Sequence, residues 1–530
     1  MIRYLRTRYR LAVAAMVVAV YLLGCWAFGV ASVRDPYEGA VLVGAMFSLV
    51  VYWARPEAMV WMALFYTFGA LPIGLYIGKV IGPTTIYVWH VVVLLAIFYL
   101  IQLVRPRFSD YLAPALFALT VVFFAAVGFS AGHAPEAILH EVACLFEMVA
   151  GYMLALLIVY GDYIKGATQT LILTLWFSAA MAIVSSSLGM RLTGRFESIG
   201  ESTSGGSVTR LIIPTTAPAL AVLAALVAAQ VLGRVRPATF FAMGMPALII
   251  SLLAFSRGTL IAIAVAAVVA FFASPGWQAL RRSATFAVTS AALLAVMVPG
   301  ALFLLQHSTA GDWLGHQFAG FNHRVLGGVT ASSLAVDDST QYRLVENGNL
   351  IRGISNAPLF GHGIGYAYRL PFGDEGSDDA FGFDSFTVLL GTTYAHNFYL
   401  WWLVKAGAVG MAVFAWFALR PVIRALRCAS KPAKISAAVS AGLLVLNIVG
   451  PNIEDTPDSV VFGMVLGATM GFANLARRRP GDPSSAGLDD GMAADRVTTE
   501  PIPVLVGGPA VLVGGPAVSS GTPRHSSPSR

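Results

Sequence analysis

From Thr239 to Ala273 the chain runs 35 residues with one polar break, Ser256-Arg257-Gly258. As a single helix this stretch would extend about 52 Å, against about 30 Å for the hydrocarbon core of a bilayer. It must therefore fold back, and the break puts Arg257 in a tight turn at a membrane surface. There an arginine either meets an anion or snorkels and caps carbonyl groups, because an uncompensated charge at that depth is costly. The composition excludes an aqueous globule: 57% of the 530 residues are hydrophobic and 12% charged, where soluble domains are about a quarter charged.

Apolar runs of spanning character recur near residues 11–31, 40–53, 58–78, 85–103, 111–130, 138–160, 169–189, 212–232, 239–255, 258–273, 285–306, 394–418, 434–450 and 458–476. The second is short enough to be re-entrant. The expected fold is an all-α polytopic membrane protein with 12–14 transmembrane helices and a large, partly helical outer loop. The basic start, Met1 to Arg10, is followed by an apolar run with no convincing cleavage site, which predicts a retained first helix.

The net charge of +7 points to no nucleic-acid partner once the basic residues are located. They cluster at Arg3–Arg10, Arg55, Arg105 and Arg107, Lys165, Arg234 and Arg236, Arg281 and Arg282, Arg420–Lys434 and Arg477–Arg479. With the N-terminus inside, these fall on one side of the membrane, as the positive-inside bias requires. The two long polar loops, 190–211 and 307–393, then fall on the other side. The chain divides into N-terminal transmembrane helices (1–306, with the loop 190–211), an outer loop or cap (307–393), C-terminal transmembrane helices (394–479) and a disordered inner tail (480–530). That tail is rich in Pro, Gly and Ser and repeats a seven-residue unit from Val504 and again from Val511. Cys25, Cys144 and Cys428 lie in or near different apolar runs without metal spacing and read as packing residues.

The outer loops carry the candidate chemistry. Loop 190–211 holds Arg191, Arg195 and Arg210 among glycines and serines, a mixture that suits phosphate oxygens and equally suits a solvated loop with local Arg–Glu pairs. Residues 340–351 have helical spacing with Arg343, Glu346 and Leu350 on one face. Arg352 lies about 180° round that helix from Arg343 and is assigned to packing or surface. Asn356 to Gly365 reads as a bent, backbone-exposing turn with Gly361, Gly363 and Gly365 at alternate positions; it lacks the strand–helix setting of a dinucleotide site. Between Tyr366 and Tyr394, aromatics mix with Asp374, Glu375, Asp378, Asp379 and Asp384, whose spacing fits no calcium loop. His396 opens the next apolar run, so its imidazole should stand at a helix N-terminus, which disfavours the imidazolium and leaves a proton acceptor. Trp401 and Trp402 read as interfacial anchors, and Lys405, deeper in the run, is expected to pair or to line a cavity.

Three of these fragments, in this order and topology, resemble the bacterial O-antigen ligases, within the group that includes O-antigen polymerases and protein O-oligosaccharyltransferases. They are Ser256-Arg257-Gly258 between two spans, Arg343 followed by Pro358-Leu-Phe-Gly-His-Gly-Ile-Gly365, and His396-Asn397 opening a span. His362 stands where relatives more often carry an apolar residue. The resemblance covers roughly residues 165–475 and implies a membrane-embedded C-type glycosyltransferase in a bacterial inner membrane, with the outer loops periplasmic and both termini cytoplasmic. Its donor would be an undecaprenyl-diphosphate-linked glycan and its acceptor a sugar hydroxyl of lipid A–core, with inversion and with no metal or other cofactor. A diphosphate already leaves well, so such an enzyme needs cations against the departing phosphate and a base for the incoming hydroxyl. Arg257 and Arg343 suit the first task, helped by Arg191, Arg195 or Arg210; His396 suits the second, and Asn397 and Ser256 are secondary. A polymerase shares the donor and differs in acceptor. A lipid or glycan transporter would spread charge through several spans, where this chain has chiefly Glu141, Glu147 and Lys405.

Overall fold

A computed structural model describes residues 36–75, 78–81, 84–199, 208–274, 276–305, 307–322, 325, 338–368, 392–450 and 456–478. Its helices are α1 (Pro36–Ala54), α2 (Ala58–Phe68), α3 (Val88–Val104), α4 (Phe108–Ser130), α5 (Pro135–Tyr160), α6 (Ile164–Leu188), α7 (Thr216–Leu232) and α8 (Pro237–Leu253). There follow α9 (Arg257–Ala273), α10 (Trp277–Leu305), α11 (Thr309–Phe321), α12 (Asp338–Asn356), α13 (Phe398–Leu426), α14 (Lys431–Leu446) and α15 (Thr456–Arg478). Two antiparallel hairpins interrupt them, β1 (Gly78–Ile81) with β2 (Thr84–Tyr87) and β3 (Arg195–Ile199) with β4 (Val208–Ile212). The first apolar run, the acid- and aromatic-rich segment 374–384 and the repeat-bearing tail lie outside the described residues.

The protein is an all-α polytopic membrane protein. Among the described residues five helices, in α4, α5, α6, α13 and α15, are long and apolar enough to cross a bilayer, and shorter apolar helices accompany them. The 35-residue run folds back as its length demands. The α8 helix ends at Leu253, Phe255 takes a left-handed φ of 44°, and α9 restarts at Arg257.

The run 58–78 departs from expectation. Gly69, Pro72 and Gly74 stop the helix at Phe68, so α2 rises only about 16 Å. The chain continues as irregular backbone, and such backbone survives at membrane depth only where protein satisfies it. The Thr215 hydroxyl reaches the Phe68 carbonyl and, at 2.6 Å, the Ser178 hydroxyl, which accepts from the Ala70 N–H at 3.0 Å. The Leu71 carbonyl accepts from the Thr193 N–H at 2.9 Å.

Two features hold the C-terminal spans in place. Gly463, Gly467 and Gly471 recur every fourth residue along α15, so the helix lies almost backbone to backbone on α5; a methyl group at Gly467 would stand 2.0 Å from the Tyr152 carbonyl oxygen. Beside this pair, Phe117 stacks on Phe417 with centroids 4.9 Å apart, and Phe417 meets Tyr152 at 5.1 Å. Trp401 and Trp402 belong to this interior, 1% and 0% exposed. They are not interfacial anchors, because the face of α13 that carries them packs against its neighbours α4, α14 and α15.

Candidate functional site

The Asn356–Gly365 turn does not present its amides to a ligand. Inside α13, Gly407 adopts φ 61° and ψ −167°, which breaks the helical hydrogen-bond ladder. The turn splices into this break. The N–H groups of Ala408 and Val409, deprived of their helical acceptors, donate to the Pro358 and Leu359 carbonyls at 2.9 and 3.1 Å; the Val404 and Lys405 carbonyls, deprived of their donors, accept from His362 and Gly363 at 3.0 and 2.9 Å. Two further amides are also used: Ile364 donates to the Phe124 carbonyl at 3.0 Å and Gly365 to Glu141 Oε2 at 2.9 Å. Glycine is required where the two backbones touch, since Gly361 has φ 62° and a Cβ on it would lie 2.4 Å from the Lys405 carbonyl. His362 locks the turn, with Nε2 3.0 Å from the Gly353 carbonyl and its ring stacked on Tyr366 at 4.1 Å.

The splice fixes the segment before α13 through Lys405, which is fully buried. Its ammonium forms an ion pair with Glu141, donates to the Thr393 carbonyl at 3.2 Å and lies 4.3 Å from the Trp401 ring centroid. The Trp401 indole N–H donates to the same Thr393 carbonyl at 2.8 Å. The second interior acid, Glu147, meets His90 Nε2 at 2.8 Å, and His90 Nδ1 accepts from the Tyr87 N–H.

His396 follows three residues after Thr393. Asn397 caps α13, its side-chain oxygen accepting from the Tyr399 and Leu400 N–H groups at 3.1 and 3.2 Å. The His396 imidazole is held by Glu346 on α12: Oε2 of that carboxylate accepts from the His396 backbone N–H at 2.8 Å and lies 3.1 Å from Nδ1. The Tyr368 hydroxyl has one hydrogen to share between Oε1, 3.1 Å away, and the closer Tyr394 carbonyl. The Glu346 side chain is 1% exposed and that of His396 26%, so a buried carboxylate anchors a partly exposed ring. The sequence places Glu346 on the Arg343 face but gives no sign of its partner, which lies 50 residues away.

Arg343 is half-buried on α12, one turn before Glu346 and on the same face. Arg257 begins α9, also half-buried, with Ser256 at the cap position making no side-chain capping bond. The C-terminal end of α14 joins the two regions. Leu446 packs so closely on Gly258 that a Cβ there would lie 2.5 Å from it, and the next residue, Asn447, accepts from the Phe398 N–H at 3.0 Å. Arg257 and His396 thus stand at the same end of the bundle, at the N-termini of two helices that both pack against α14. Arg210, on β4 opposite Glu197, donates from Nε to the Ala254 carbonyl at 2.9 Å, beside the α8–α9 turn that carries Arg257. Arg191 is exposed at the entry to the β3–β4 hairpin, and Arg195 lies on β3 opposite Ile212 with its side chain outside the described residues. Arg352 is exposed, away from the site.

Two helix N-termini lie at this end of the bundle with arginines and an anchored imidazole, and helix N-termini favour anions. No curated protein matches the chain. Residues 238–415, from the start of α8 into α13, match the family described as O-antigen ligase. That region contains Arg257, Arg343, Glu346 and His396, and its match supports the O-antigen ligase/polymerase superfamily.

Proposed function

We propose that the protein is an O-antigen ligase of a bacterial inner membrane, acting at the periplasmic face with both chain termini in the cytoplasm. The observation that carries the reading is the anchored His396 imidazole, held from the Arg343 helix at the bundle end where α9 starts with Arg257. The donor is an undecaprenyl-diphosphate-linked glycan, and the acceptor is a sugar hydroxyl of lipid A–core. The acceptor oxygen attacks the anomeric carbon, and the bond from that carbon to the diphosphate oxygen breaks. The electron pair leaves with undecaprenyl diphosphate, and the hydroxyl proton passes to His396. In-line attack inverts the anomeric centre.

Arg257 and Arg343 hold the diphosphate, since guanidinium forks match phosphate oxygens and offset the charge that grows on the leaving group. Arg210 supports the Arg257 turn and borders the same site, with Arg191 and Arg195 on the approach. The base contributes about 10²- to 10⁴-fold in rate.

The test is incubation of the purified protein with labelled donor, with and without lipid A–core. Label moving to lipid A–core supports the ligase. Donor lengthened without transfer to core overturns it in favour of a polymerase, and donor carried across vesicles without any transfer would favour a transporter.

A further inference from the structure

We infer that Glu346 is a positioning residue that selects which nitrogen of His396 acts as the base, an inference that rests on the reading of His396 above. One carboxylate oxygen, Oε2, serves both the His396 backbone N–H at 2.8 Å and Nδ1 at 3.1 Å. An ionised carboxylate only accepts, so Nδ1 carries its hydrogen; a neutral imidazole has one N–H, and the lone pair is then on Nε2. Because the same oxygen holds the backbone and the ring, it fixes the orientation of the imidazole as well as its tautomer.

The carboxylate acts a second time during transfer. When Nε2 takes the hydroxyl proton the ring becomes an imidazolium, and the negative charge of Glu346 offsets it from the buried side. With the Glu346 side chain 1% exposed, little water screens that interaction. Glu346 is in turn flanked by the Tyr368 hydroxyl, 3.1 Å from Oε1, and by the fully buried Leu350 one turn along α12. Glu346 itself touches no reacting atom in this scheme.

The experiment compares wild type with H396A, E346Q and E346D as full-length proteins in nanodiscs, measuring kcat, KM for lipid A–core, donor binding and melting temperature. E346Q is nearly isosteric but has no charge, and its amide presents a donor NH2 beside one acceptor oxygen, so it no longer fixes the hydrogen on Nδ1. Its kcat should fall about 10- to 100-fold, the span of a hydrogen bond to a charged group, with KM, donor binding and melting temperature unchanged. E346D, which restores the charge at a longer reach, should recover part of the loss. Wild-type kcat in E346Q overturns the inference, as does a joint loss of kcat, donor binding and melting temperature that E346D does not relieve. If E346Q does not fold, E346D decides: a lower kcat at unchanged KM and donor binding supports the inference, and wild-type kcat overturns it. An inactive H396A beside a fully active E346Q would remove only the role of Glu346, whereas full transfer by H396A would remove the base itself.

Discussion

Replacing Lys405 by methionine tests whether the interior ion pair builds the site or merely fills space. Lys405 is fully buried and Glu141 is 5% exposed, so removing the ammonium leaves a carboxylate in a dry interior, at about 3–5 kcal/mol. Part of that cost is the lost hydrogen bond to the Thr393 carbonyl and the lost contact with the Trp401 ring, the latter about 0.5–2 kcal/mol. E141Q alone should cost about as much, because it strands the ammonium. The double variant K405M/E141Q removes both charges and keeps a side-chain oxygen for the Gly365 N–H, whose present acceptor is Glu141 Oε2. It should therefore cost about 1–3 kcal/mol, less than either single variant. Unfolding free energies of the purified proteins in mixed micelles measure this cycle. Costs that add, with the double variant losing the sum of the singles, would refute the reasoning, as would a K405M protein of wild-type stability.

Arg343→Lys keeps the charge but not the planar fork, and should weaken donor binding and transfer together; a lysine variant with wild-type affinity for the diphosphate would show that Arg343 is not a bidentate clamp. Asn397→Ala removes the cap of α13 and should lower stability by about 0.5–2 kcal/mol, read as a lower melting temperature; no change would mean that the two capping bonds contribute nothing. Gly467→Ala forces α5 and α15 apart and should cost about 1–3 kcal/mol, whereas the same substitution at the exposed Gly276, which faces open space, should not overpack the bundle.

The parts of this structure that follow from local chemistry were legible in the sequence. The turn at Arg257 follows from a run too long for one crossing, the α12 helix follows from the periodicity around Arg343, and a paired Lys405 follows from the cost of a bare ammonium in that run. The parts that depend on distant backbone were not. Gly407 looks like any glycine in an apolar run, and nothing near it signals a helix break that takes in the turn around Gly361. The alternate glycines of that turn resemble a ligand loop because close approach to another backbone and close approach to a phosphate demand the same residue. Glu346 shares a face with Arg343, but only the fold brings His396 to it. Trp401 and Trp402 have the composition and depth of a membrane interface, and their burial depends on which helices enclose α13.

The central claim is that Arg257 and Arg343 grip one lipid diphosphate beside His396. It is tested most directly by a structure of the protein with undecaprenyl diphosphate bound. The account predicts both guanidinium groups within about 3 Å of phosphate oxygens, with the terminal phosphate next to His396. A diphosphate held elsewhere in the bundle, or against only one of the two arginines with the imidazole remote, would contradict it.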